Sequence, residues 1–166
     1  VCGEEDNANS GNSANFQFNY GTISGGLSLD SYKTSLEQTF AVEVTGFGWA
    51  KPPLCTGGAT CGGVANPFGR YPVQIADLGA GLYGYVSGGG GNYTGFIGDN
   101  PNTAAAETAA FASCMALNQD FSQFPEGAQA ALDATTAHEF VHSIQFGYGD
   151  PSPFEDDMWY ESSASA

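Results

Sequence analysis

The chain has 166 residues, long enough for one domain with a real core and short for two. Three Lys+Arg against 18 Asp+Glu give a net charge of -15, which excludes the basic face that nucleic acids and anionic membranes require. Hydrophobic residues at 42% and aromatics at 13% argue for a folded globule despite 24 glycines, and no apolar run reaches the roughly 18 residues a membrane span needs.

The first fifteen residues, rich in Asn, Ser, Gly and acids, read as a mobile arm ahead of a domain over 16–166. Phe16, Phe18 and Tyr20 then alternate with polar residues, as in a half-buried strand. From 30 to 45, Leu29, Tyr32, Leu36, Phe40 and Val44 recur at helical spacing and predict a core-facing helix. Ser28 or Asp30 would cap it and Gly46 would end it. Residues 47–70 read as loop, 71–79 as a buried strand, and GLYGYVS as a turn and second strand. A short strand is expected around Tyr93–Ile97 after the Gly88–Gly91 run, which lacks a phosphate-loop context. The Ala-rich 102–110 stretch predicts a short helix, and 111–117 another strand. Pro125 suits a helix N1 position, opening a helix over 126–146 that Gly147 and Gly149 stop. Ser152-Pro153-Phe154-Glu155 predicts a capping box starting a further helix, with Glu161 about two turns in.

The four cysteines fit two disulfides in an oxidising compartment, with Cys55–Cys61 closing a Gly-rich loop and Cys2–Cys114 following by elimination. A cysteine zinc site is the rival reading, but no C-x-x-C spacing occurs. Secretion would make Val1 a mature end with its signal already removed.

The only two histidines, His138 and His142, stand four apart in HEFVH on the predicted helix. With about 3.6 residues per turn, they share a face and can grip one ion, while Glu139 projects to the side as a base rather than a ligand. A catalytic zinc takes three protein ligands and keeps one position for water. The third ligand must return from another element, and Glu161, 18 residues beyond His142, combines that distance with a helical position. Two ordinary exposed histidines and a closed structural zinc are the blander alternatives. Asp150, Glu155, Asp156 and Asp157 read either as a solvated helix start or as a Ca2+ site.

The pattern HEFVH-x18-E resembles the gluzincin zinc metallopeptidases. TTAHEFVHSIQFGY followed by WYESSASA is similar to a group of secreted bacterial metalloproteases. The order of the segments at 30–45, GRYPVQIADLGAGLYGYV and CMALNQDFSQFP extends the likeness. By position, the resemblance implies Zn2+ on His138, His142 and Glu161, with Glu139 as general base. It implies an α+β, zincin-like fold: a twisted mixed sheet, a backing helix, an active-site helix and a C-terminal glutamate helix. An edge strand, Tyr93–Ile97 or Phe111–Leu117, would align a protein or peptide substrate by strand addition. Gluzincins continue into a lower subdomain that supplies an oxyanion donor, whereas here five residues follow Glu161. The expectation is a fragment, a processed form, or a local donor, Tyr148 or Tyr160. The rival functions are an extracellular assembly subunit that self-associates and a metal-binding module without catalysis.

Overall fold

The structure is a computed structural model and describes residues 8–54, 69–90 and 93–149. Its centre is a mixed five-stranded sheet with strands β1 (Asn9–Asn12), β2 (Phe16–Tyr20), β3 (Tyr71–Ala76), β4 (Gly84–Ser87) and β9 (Cys114–Asn118), in the order β1-β2-β3-β9-β4. β2, β3 and β9 run parallel, while β1 and β4 lie antiparallel along the two edges. Two small ribbons branch from it, β5 (Gly89–Gly90) with β6 (Tyr93–Thr94) and β7 (Phe96–Gly98) with β8 (Ala110–Phe111). Helices α1 (Leu29–Phe40) and α2 (Ala128–Tyr148) complete a mixed α+β architecture.

Alternation in β2 and β3 decides which face of the sheet is covered. Phe16, Phe18, Tyr71, Val73 and Ile75 join Met115 and Leu117 of β9 in one cluster with Tyr32 and Leu36 of α1 and Leu132, Phe140 and Ile144 of α2. Both helices therefore supply apolar side chains to one core. The reverse side of β9 holds a smaller cluster of Cys114 and Ala116 with Leu78 and Tyr85. Cys114 is 1% exposed and no described cysteine is a free thiol. Cys2, Cys55 and Cys61 lie outside the described residues.

Of the two expected caps, Ser28 rather than Asp30 takes the N-cap position, in a capping box with Ser31. α1 does not stop at Phe40 but widens into a π-helical turn over Ala41–Gly46, with Phe47 N donating to Val42 O at 2.9 Å. The helices run parallel, for Ser35 Oγ meets Thr136 Oγ1 at 2.7 Å, Phe40 faces Phe140 at 5.9 Å, and Ala50 N donates to the Tyr148 hydroxyl at 3.1 Å. Among the described residues, no helix is long and apolar enough to cross a membrane.

Five expectations change. Residues 9–12, expected in the arm, pair with β2 because a polar strand can cover a sheet edge without apolar alternation. The 102–110 segment is turns rather than helix. The Thr103 hydroxyl lies 2.8 Å and 2.7 Å from the two Glu107 carboxylate oxygens, Asn100 N donates to Glu107 Oε2 at 3.2 Å, and Glu107 N donates to Asp99 at 3.0 Å. These local bonds outcompete alanine propensity. α2 begins at Ala128 and not at 126, because Phe121 and Phe124 bury through a turn that ends at Gly127 with φ 91°. Gly147 does not stop the helix, for it lies inside α2, where a side chain would collide with Asn100 and Pro53. Finally, neither segment expected as the sheet edge occupies it. Cys114–Asn118 is interior, 93–98 belongs to the side ribbons, and β4 is the edge on that side.

Asn15 ties the start of β2 to α1 by donating its backbone N and side-chain amide to the two Glu37 carboxylate oxygens, each at 2.7 Å. Burial raises the Glu37 pKa, but hydrogen bonds from Ser13, Asn15 and Ala14 outweigh it and hold the carboxyl below its ordinary value. Such a group stabilises the fold above the ordinary carboxylate pKa and loses that contribution as pH falls through the lowered value. Glu37→Gln is expected to melt about 2–4 °C lower than the parent at neutral pH. Thermal melts across a pH series should show the gap closing in acid, and a deficit independent of pH would contradict the assignment.

Candidate metal centre

The HEFVH string lies in the second half of α2, and Phe140 at its middle sets its rotation. Phe140 is fully buried, with ring centroids 5.4 Å from Phe16, 5.9 Å from Phe40 and 6.0 Å from Tyr71. His138 and His142 each stand two residues from it, which on a helix places both about 160° away from that anchor. Seating the phenyl ring in the core therefore turns both imidazoles to the opposite side. His142 and Glu139 are nonetheless only 7% exposed, and His138 is half-buried.

The two rings converge through like atoms. His138 Nε2 and His142 Nε2 are 3.0 Å apart, with the ring planes at 85°. Two tetrahedral ligands about 2.0–2.1 Å from one zinc ion would lie about 3.3 Å apart, close to this spacing. The other nitrogen of His142, Nδ1, is 2.9 Å from Gln145 Oε1. An amide oxygen only accepts, so Nδ1 is the donor in this contact, which in a neutral imidazole leaves the Nε2 lone pair directed towards His138. A metal-ligating histidine uses its second nitrogen in the same way. The signal of Gln145 in the sequence is its place three residues after His142.

β4 runs beside this part of α2. A side chain at Gly84 would come within 3.0 Å of Thr135 Cγ2, and one at Gly88 would overlap the Phe146 ring. The strand is thus drawn against the helix at Thr135 and again just past its own end at Phe146, and the histidines lie on the helix between those points. Only residues without Cβ permit that approach. β4 is also the last strand of the described sheet on that side.

Of the remaining expected groups, Glu139 shares the histidines' helix, and Glu161 lies outside the described residues. Asp150, Glu155, Asp156, Asp157 and Tyr160 lie outside them too. The Tyr148 hydroxyl accepts from Ala50 N, which binds the loop after α1 to the end of α2. Among the described residues, no third His, Cys, Asp or Glu joins the two imidazoles in a metal-binding group. The donor set present, two imidazole nitrogens one helical turn apart, suits zinc in number and kind as part of a three-ligand site. Comparison of the chain with protein-family models, curated protein sequences and solved structures finds no match.

One buried acid was not anticipated. Glu43 sits in the π-helical turn, 5% exposed, and its Oε2 has no hydrogen-bond partner among the described residues. It follows Thr39 and Phe40, both of which touch α2, by one turn. Burial pushes its carboxyl from the ordinary 4.5 to about 8. A raised carboxyl pKa gives stability that is complete below 4.5 and is lost as pH climbs through about 8. Glu43→Gln is therefore expected to match the parent's melting temperature in acid and to exceed it increasingly up to pH 8. Melts of both proteins between pH 4 and 9 check this, and parallel curves would show that the carboxyl is not buried as described.

Proposed function

We propose that the chain is a secreted zinc metallopeptidase of zincin-like architecture, with the metal held by His138, His142 and Glu161. The single observation that carries this reading is the convergence of two Nε2 atoms at 3.0 Å on a helix that also bears the shielded carboxylate of Glu139. Two histidines on an exposed helix would not require a tautomer held by Gln145, nor burial of the acid between them. Zinc, when bound, supplies Lewis-acid polarisation of the scissile carbonyl and acidifies water.

The chain's own residues would divide the remaining work. Glu139 would take the proton of the attacking water and deliver it to the leaving amine. Gln145 would keep the His142 lone pair directed inward. β4 is the last strand of the described sheet on the side that packs against α2, and an extended peptide laid along it as an added strand would pass near the imidazole pair. Such recognition reads backbone first, so a peptide or protein substrate fits it better than a small molecule. Secretion agrees with the paired cysteines expected from the sequence.

The test is metal analysis joined to a cleavage assay. The protein is expected to hold about one zinc per chain, and Glu139→Gln should keep the metal while losing about 10²–10⁴-fold in casein cleavage. His142→Ala should lose the metal. Gln145→Ala should weaken zinc binding about 10–100-fold, measured against a competing chelator. Undiminished cleavage by Glu139→Gln, or full zinc occupancy in His142→Ala, would refute the assignment.

A further inference from the structure

A buried chain of hydroxyls reaches the HEFVH turn from the sheet. Ser143 Oγ, on the residue after His142, donates to the Glu139 carbonyl at 3.0 Å. The Tyr71 hydroxyl lies 2.7 Å from Ser143 Oγ and 2.8 Å from Ser113 Oγ. Tyr71, Ser113 and Ser143 are 4%, 2% and 0% exposed, so water does not substitute for these contacts.

The order of donation follows from the end of the chain. A carbonyl cannot donate, so the only proton of Ser143 is committed to Glu139, and Tyr71 must donate to Ser143. The Tyr71 proton is then used, and Tyr71 accepts from Ser113. One directed sequence runs from Ser113, just ahead of β9, through Tyr71 at the start of β3, to the backbone of the acid in the motif. Tyr71 is also fixed sideways, its ring packed edge-on against Phe140 at 6.0 Å and Phe16 at 6.2 Å. The same residue thus controls the side chain at the centre of HEFVH and the main chain one residue before it.

We propose that Tyr71 is a positioning residue, holding Glu139 and the imidazole pair in register through Ser143. This rests on the metallopeptidase reading of the site. Tyr71 touches neither metal nor substrate and acts by placing groups that do. A second hydroxyl cluster, Thr136 with Ser35 and Thr39, is equally buried and links α2 to α1 one turn earlier. It provides the comparison a purely structural contact requires.

The experiment measures Tyr71→Phe, Ser143→Ala and Thr136→Val in the full chain. Tyr71→Phe keeps the ring and removes only the bridging oxygen. It is expected to lower kcat about tenfold at unchanged KM and to weaken zinc binding several-fold. Ser143→Ala should change both in the same direction and serves if Tyr71→Phe does not fold. Thr136→Val should leave both within about twofold of the parent, although it also removes a buried hydroxyl. Equal effects in Tyr71→Phe and Thr136→Val would overturn the proposal. Ring nitrogen-15 spectra of His138 and His142 in the metal-free protein separate this outcome from failure of the functional reading. Shifts altered in Tyr71→Phe and not in Thr136→Val support positioning even in a protein that takes up no zinc. Spectra unchanged in both overturn it.

Discussion

The position of one aromatic ring governs most of what the molecule presents. Phe140 fills a space bounded by a strand residue from β2, one from β3 and the last residue of α1, and these come from three separate parts of the chain. Edge-to-face and tilted contacts of this kind are directional, and the ring sits fully out of water. α2 cannot rotate without withdrawing it. Because the ring lies between the two histidines in sequence, the packing that stabilises the sheet also decides which way the imidazoles point. A core mutation that let α2 turn by one residue would swing both of them by about 100°.

Parallel helices bring like ends of their dipoles together, which mildly disfavours the α1–α2 pairing. Polar groups are nonetheless buried between them. Ser35, Thr39 and Thr136 are 2%, 8% and 0% exposed, and their hydroxyls satisfy one another or a helix carbonyl. Small hydroxylated side chains let the two axes approach closely while leaving no donor stranded. The contact also fixes sliding, since a shift of one residue would strand three hydroxyls in an apolar setting. The parallel arrangement then carries the segment after α1 along α2 to its end at Tyr148.

Much of this was legible from pattern. Phe16, Phe18 and Tyr20 announced β2 by alternation, and the Leu29-to-Phe40 stripe announced α1 by its period, because one-sided burial leaves those traces in any amphipathic element. The motif on α2 was visible because two histidines four residues apart share one face of a helix. Pairing order was not legible. Nothing local distinguishes the interior strand at Cys114–Asn118 from the edge strand at Gly84–Ser87, and both read as short apolar runs. Asn9–Asn12 has no apolar residue and pairs through its backbone, with Asn9 adding a side-chain bond to the Gly21 carbonyl, so it left no apolar pattern. Ala104 to Ala106 suggested a helix, but Pro101 precedes them and flanking acids bind the backbone, which propensity does not register. Within the site, Tyr71 and Ser143 read as ordinary strand and helix positions; their link depends on a contact between residues 72 apart in sequence.

The widened turn at the end of α1 has a geometric meaning beyond the acid it buries. A turn closed by a five-residue hydrogen bond contains one residue more than an ordinary α-turn, so everything downstream is advanced by about 100° around the axis relative to a continuous helix. Val42 and Phe47 emerge on the solvent side at 53% and 63% exposure, while Glu43 is tucked under. The extra residue acts as a phase shifter between a segment whose facing is dictated by the sheet and one that must meet Tyr148. Excising a single position from that turn would restore uniform winding, roll the Phe47–Trp49 pair a quarter-turn around the cylinder, and pull Ala50 out of reach of its hydroxyl acceptor.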